Sequence, residues 1–186
     1  MSVKYSDLKN KRVFISGGGS GIGATIVEYF CEQNSDVYFI DINLKESKKL
    51  IAKIKKRKLK APKFIECDIT DINKLQKTIE DIIKKKGPIN CLINNAANDD
   101  RHTTDQVNEK YWENRMAINL KHYFFAAQSV VKGMKKIKSG SIVNLSSVSW
   151  MLGEGDKVVY ETAKSAVIGL TRSFAQEFGK FNIRTN

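Results

Sequence analysis

Two hydrophobic rhythms alternate along the chain. Short, nearly continuous apolar or β-branched runs occupy 12–16 (RVFIS), 37–41 (VYFID), 63–67 (KFIEC), 89–94 (INCLIN), 140–146 (GSIVNLS) and 182–185 (NIRT), the pattern of strands buried on both faces. Between them, apolar residues recur at helical spacing over 21–33, 44–60, 71–86, 105–137 (two helices) and 157–179. In 71–86, Ile72, Leu75, Ile79, Ile82 and Ile83 share one face, Asp71 or Thr70 is the cap, and Gly87-Pro88 is the terminator. Strict alternation of strand and helix specifies an α/β fold: a doubly wound parallel sheet with right-handed crossovers, helices on both faces and the strand order 3-2-1-4-5-6. Ligands of such sheets bind at the carboxyl ends of the strands, where the strand order reverses. With 186 residues, 2 prolines, no repeats and no low-complexity linker, residues 1–186 read as a single domain.

The first strand runs directly into Ser16-Gly17-Gly18-Gly19-Ser20-Gly21-Ile22-Gly23 and then into the first helix. In that context a glycine string predicts a pyrophosphate cradle. Gly17 permits a sharp turn, Gly21 lets backbone approach phosphate, Gly23 allows the helix to pack close on the sheet, and the free N–H groups of the helix start face the anion. Asp41 ends the second strand 18 residues after Gly23, near the ~20 at which an acidic residue accepts hydrogen bonds from an adenosine ribose. Its charge repels a 2′-phosphate, and no base lies in the glycine loop, so the expected cofactor is NAD rather than NADP.

Tyr160 and Lys164 lie one helical turn apart, on a stripe continued by Val167, Thr171, Phe174 and Phe178. Phenols are poor bases at neutral pH, and an adjacent ammonium favours the ionised form. The spacing Gly17-x3-Gly21-x-Gly23, with Asn94-Asn95-Ala96-Ala97, Asn119, Ser146-Ser147 and Tyr160-x3-Lys164, resembles the short-chain dehydrogenase/reductase family over essentially the whole chain. That resemblance implies a Rossmann-type three-layer αβα fold and catalysis by Asn119, Ser147, Tyr160 and Lys164. It implies that Lys164 also holds the nicotinamide ribose and that Ser147, 13 residues before Tyr160, contacts the reacting oxygen. It further implies cofactor contacts from Gly17, Ser20, Gly21, Ile22, Gly23, Asp41, Asp68, Ile69, Asn95, Ala96 and Ala97, and a homo-oligomer built on the helix before the fifth strand and the helix carrying Tyr160. Ala97 stands where family members more often carry glycine.

The segments 94–102, 111–125 and 146–164 look closer to one branch, the NAD-dependent aldose 1-dehydrogenases of the D-xylose and galactose type. The implied reaction oxidises the anomeric C1 hydroxyl of a sugar to a lactone. A sugar would suit a polar lip of Asn98, Asp99, Asp100, Arg101 and His102, and Trp150 could stack on a pyranose; the expected substrate contacts are Asn98, His102, Ser147 and Trp150. The chain ends in or just after the sixth strand, whereas family members continue through a Pro-Gly turn, a substrate loop and a seventh strand. The expectation is therefore a sheet lacking its usual seventh strand, in a domain incomplete at the C-terminus. A competing reading is a truncated, catalytically weak or inactive NAD-binding relative.

Composition adjusts this picture at the margins. The net charge of +12 raises a third reading, a basic nucleic-acid-binding protein, since half of the 32 basic residues fall within 44–60, 84–86 and 132–138. In 44–60, however, Leu44, Ile51 and Ile54 keep a helical stripe and no aromatic residue interleaves with the lysines to stack bases, so a solvated basic face is favoured. Cys31, Cys67 and Cys91 form no CxxC pair and only 2 histidines occur, His102 and His122, so neither a disulfide framework nor a protein-held metal is expected. No apolar run approaches membrane-spanning length and no signal core opens the chain, which predicts a cytoplasmic protein without membrane contact.

Overall fold

The structure, a computed structural model, describes residues 3–186. Six parallel strands carry the fold: β1 (Arg12–Ser16), β2 (Asp36–Asp41), β3 (Lys63–Glu66), β4 (Cys91–Asn94), β5 (Gly140–Asn144) and β6 (Ile183–Thr185), in the spatial order 3-2-1-4-5-6. Between β1 and β4 the order reverses, with Val13, Phe14 and Ile15 opposite Cys91, Leu92 and Ile93. Every crossover is helical: α1 (Gly21–Glu32), α2 (Leu44–Lys56), α3 (Ile72–Lys86), α4 (Glu109–Met116), α5 (His122–Ile137), the short α6 (Ser149–Leu152) and α7 (Val158–Phe178).

The continuous apolar runs are explained by two cores, one on each face of the sheet. Phe14, Tyr38, Ile40, Leu92 and Ile142 pack on one side against Leu75 and Ile79 of α3, Val130 and Met134 of α5, and Phe174 and Phe178 of α7. Alternate residues Val13, Ile15, Val37, Phe39 and Ile93 face the other way, onto Val27 and Cys31 of α1 and Leu50 and Ile54 of α2. Period-two alternation thus operates inside runs that look uniformly apolar, because both faces are covered.

Local signals decide where elements begin and end. Asp71 is the cap of α3, accepting from the Lys74 amide at 2.9 Å, and Gly87 closes it with φ of 90°. The lysine-rich α2 stops at Lys56 rather than running to 60, with Lys58 turned to φ of 56°. Its buried stripe is Ser47, Leu50 and Ile54, while Leu44, next to the Asn43 cap, is exposed. The region 105–137 starts later than its periodicity suggests: Thr103 and Gln106 form a capping box around a single 3-10 turn, and Asn108 caps α4. From there α4 runs into α5 through a wider π-type turn, Ala117–Lys121.

Part of the basic surface is answered internally. Lys53 of α2 and Arg57 just after it pair with Glu28 of α1, Arg57 also pairs with Glu32, and Lys60 pairs with Asp36 at 2.6 Å. These exposed pairs orient α2 on α1 more than they stabilise it. Among the described residues no helix is long and apolar enough to cross a membrane.

The packing makes a graded prediction. Leu92, fully buried in the central strand β4, when changed to Ala should cost about 2–5 kcal/mol in urea denaturation. Leu152→Ala, at a side chain 70% exposed on α6, should stay within about 0.5 kcal/mol of wild type.

Candidate active site

At the reversal point, the chain leaving β1 and the chain leaving β4 meet. Ser16 is fully buried, and its Oγ accepts from the Asn95 and Ala96 amides at 3.1 and 3.2 Å. Asn95 answers with its Nδ2, donating to the carbonyls of Ser16 (3.0 Å) and Gly17 (2.9 Å). Gly17 turns with φ of 67°, and a Cβ there would stand 2.8 Å from Ala96 Cα. Gly23, one turn into α1, is held against the same turn: a Cβ on it would lie 1.9 Å from the Gly17 carbonyl oxygen. Its close packing is therefore onto the glycine turn itself, with α1 opening directly beside Asn95.

Asp41 buttresses the other side of the loop. One carboxylate oxygen accepts from the Gly19 amide and the other from the Asn43 amide, both at 2.8 Å. Ser20, the residue before α1, makes no side-chain cap, and no acidic residue lies in the first turn. The first N–H groups of α1 are thus free of any side-chain partner, and the helix dipole adds positive potential there.

A cleft of about 770 Å³ opens over this junction. Its lining includes Gly17, Ser20, Gly21, Ile22, Gly23 and Asp41 from at or beyond the ends of the first two strands, Asp68, Ile69 and Asn95 to Asn98 from beyond the third and fourth, and Tyr160 from α7. All eleven residues expected to contact cofactor from the first strand through Ala97 border this one space. Asp68 is itself turned inward on its loop, accepting from the Thr70 amide and hydroxyl at 2.8 Å.

Lys164 is almost wholly buried behind Tyr160, its Nζ 5.6 Å from the centroid of the Tyr160 ring. It donates to Tyr123 Oη at 2.9 Å and to the Leu145 carbonyl at 2.7 Å. Burial lowers its pKa from 10.5 to about 8. Tyr123, fully buried on α5, donates in turn to the Leu145 carbonyl at 3.0 Å, and burial raises its phenol above the ordinary range. Tyr123 was not singled out from the sequence; the available signal was a polar pair, His122-Tyr123, inside an apolar helix stripe.

The two serines after β5 divide. Ser146 Oγ donates to the Lys164 carbonyl at 2.7 Å, tying β5 to α7. Ser147 Oγ lies 2.9 Å from Ser149 Oγ. Asn119 sits in the π-type turn, fully buried, and clamps the backbone of Asn98 from both sides: its Oδ1 accepts from the Asn98 amide at 2.8 Å and its Nδ2 donates to the Asn98 carbonyl at 3.0 Å. Of the four expected catalytic residues only Tyr160 borders the cleft; Lys164 and Asn119 stand behind its wall.

The expected substrate contacts scatter. Asn98 borders the cleft. Trp150 is on α6, partly exposed among the exposed side chains of Val148, Met151 and Leu152. His102 is buried, 6% exposed, and does not border the cleft. Its Nδ1 lies 2.9 Å from Tyr111 Oη and 3.1 Å from the Asp100 carbonyl, and Nε2 is 3.3 Å from the Val159 amide. A histidine in a charged loop reads as a surface ligand from sequence; here α4 and α7 close over it.

The sequence model of the short chain dehydrogenase family matches residues 11–186. The chain belongs to this family. Among curated short-chain dehydrogenases, it is 39% identical over 185 residues to a probable galactose dehydrogenase of Rhizobium meliloti, spanning 100% of this chain and 72% of that protein. It is 41% identical over 183 residues to a D-xylose 1-dehydrogenase of Caulobacter vibrioides, spanning 98% and 72%. Among solved structures, a gluconate 5-dehydrogenase from Burkholderia cenocepacia, in complex with NADP and tartrate, superposes with a TM-score of 0.86 at 26% identity, over 96% of this chain and 69% of that one. The protein is thus an oxidoreductase of the short-chain dehydrogenase family, with sugar dehydrogenases among its relatives.

His122 provides a test of the junction's electrostatics. Its Nε2 lies 3.1 Å from the Ala96 carbonyl, and burial pushes the imidazole from 6.5 down to about 3. The unfolded chain takes up this proton below about pH 6.5 while the folded chain does not. The stability held by neutral His122 is therefore complete above that pH and declines as pH falls toward 3. Urea denaturation between pH 3.5 and 7 should show a slope that is steeper in wild type than in His122→Gln by ~1 kcal/mol per pH unit; equal slopes would contradict this.

Proposed function

We propose that this protein is an NAD-dependent dehydrogenase that oxidises the anomeric C1 hydroxyl of an aldose to the corresponding lactone. The observation that carries the reading is one cleft that the glycine turn, Asp41 and Tyr160 all border. A dinucleotide is long and anionic in its middle, and this space offers that anion free helix N–H groups beside the glycine turn. Gly17 and Gly23 sit where any side chain would collide with backbone, so the tight turn that presents those groups depends on their identity. Asp41 is held by two amides with lone pairs to spare for ribose hydroxyls, and its charge opposes a 2′-phosphate, which favours NAD over NADP. Asp68 and Ile69, on the same cleft, meet the adenine, and Asn95, Ala96 and Ala97 leave room for the adenosine ribose.

NAD, when bound, supplies the hydride acceptor. Tyr160 takes the proton of the sugar hydroxyl as the C1 hydride departs, and the C1–O bond becomes the lactone carbonyl. Lys164 places a cation beside that phenol; with Tyr123 and Leu145 holding two of its three N–H groups, the third remains for the nicotinamide ribose. Ser147 hydrogen-bonds the reacting oxygen. Asn119 holds the Asn98 backbone at the lip of the cleft, and Asn98 and Trp150 are the sugar contacts. We further propose a homo-oligomer joined through the outer faces of α5 and α7, where Phe124 and Ile168 are 42% and 40% exposed.

Formation of NADH, followed by absorbance across D-xylose, D-galactose, D-glucose and non-sugar alcohols, should appear with the aldoses and with NAD in preference to NADP. Activity confined to non-sugar alcohols would sink the substrate, and faster turnover with NADP would sink the cofactor preference.

A second prediction separates function from stability. At pH 7 the buried charge of Lys164 opposes folding, an effect that fades as pH rises from about 8 to 10.5. Because Tyr123 keeps its bond to Leu145 when Lys164 is gone, Lys164→Met should leave the Tm unchanged or raised while lowering turnover at least ~100-fold. A fall in both together would contradict the assigned role.

A further inference from the structure

We propose that His102 is a positioning residue for Tyr160: its imidazole acts as a long-range cap on α7, holding the first turn of the helix that carries Tyr160. The inference rests on the reading of Tyr160 as the acid–base group. It departs from the expectation that His102 contacts the sugar.

The N-terminus of α7 lacks a local cap. Lys157 precedes the helix, and its side chain makes no capping bond; it pairs instead with Glu154 at 2.5 Å. The early N–H groups of a helix need partners from elsewhere. One comes from 57 residues upstream: His102 Nε2 accepts from the Val159 amide, the N–H directly before Tyr160. His102 holds the preceding residues as well, its own amide donating to the Asp156 carbonyl at 2.7 Å.

Because a backbone N–H can only donate, Nε2 must be the unprotonated nitrogen and Nδ1 must carry the proton. That tautomer is matched on the other side of the ring. The Nδ1–H faces the Asp100 carbonyl, a pure acceptor, and the Tyr111 hydroxyl of α4. Tyr111 packs edge-on to the imidazole, with ring centroids 5.0 Å apart, and Arg115 lies over its ring while pairing with Asp100 at 2.7 Å. Arg101 and Asp156 form a further ion pair between the same two segments. The loop 98–102, itself clamped by Asn119 at Asn98, thus carries a rigid link from α4 to the start of α7. A displacement of that first turn moves Tyr160 relative to bound substrate, and misplacement by about 1 Å can lower turnover on the order of 100-fold.

Two variants differ mainly in reach. In His102→Gln the Oε1 can occupy the position of Nε2 and accept from Val159, whereas in His102→Asn the shorter Oδ1 cannot. Amide hydrogen exchange on a peptide spanning 156–163, with turnover measured on the same full chains, reads the difference. We expect His102→Asn to speed exchange at the first turn of α7 by about tenfold. In that variant kcat should fall about 10- to 100-fold with KM for the aldose within about threefold of wild type, and His102→Gln should restore both. Exchange in His102→Asn equal to wild type would overturn the proposal, as would a loss confined to KM, the signature of a substrate contact. A His102→Gln chain as impaired as His102→Asn would overturn it too. Should wild type oxidise no aldose, the functional reading fails while the exchange comparison still decides the cap.

Discussion

Everything at the carboxyl edge of the sheet depends on two segments of the chain passing at van der Waals distance. The polypeptide leaving β1 passes against the polypeptide leaving β4, and four hydrogen bonds between Ser16-Gly17 and Asn95-Ala96 fix how closely they pass. Once that separation is set, there is no room for a side chain at Gly17, nor at Gly23 where α1 begins. The glycines follow from that close passage. The cleft above it, and the uncapped helix start pointing into it, are consequences of the same constraint.

A second layer of polar groups lies beneath the apolar surface of the sheet and is what this close passage leans on. Asn94 Nδ2 donates to Asn144 Oδ1 at 2.8 Å, Asn144 to Thr171 at 2.9 Å, and Lys164 to Tyr123 and Leu145. Such buried networks are costly unless satisfied, and they hold α5, β5 and α7 in one arrangement. Lys164 is the exception that marks the site: burial disfavours its charge, yet two acceptors and the Tyr160 ring keep the ammonium where the proposed chemistry needs it.

Much of this was legible in the residues, because local rules and the global fold agree. The strand order followed from strand–helix alternation, and the cap of α3 from Asp71. The glycine turn could be read because close approach leaves so few residue types to choose from. What stayed hidden was mostly long-range. The Tyr123 hydroxyl meets Lys164 across 41 residues, and His102 meets Val159 across 57, separations at which periodicity carries no information. The π-type turn at Asn119 was likewise invisible: its side chain looks like a polar interruption in a helix, and only the wider turn aims it at Asn98. The loop 98–102 reads from its residues as a polar lip for a sugar; Asp99, Asp100 and Arg101 are exposed, but His102 is buried and the loop links α4 to the start of α7.

On the proposed function, one NAD molecule spans from the glycine turn to Tyr160. Titration of NAD into isotopically labelled protein, followed by backbone amide NMR shifts, tests it most directly. Saturable shifts are expected at 17–23, 41–43, 68–69 and 95–98 together with 158–164. Shifts confined to the lysine-rich face of α2, or none at saturating NAD, would contradict it.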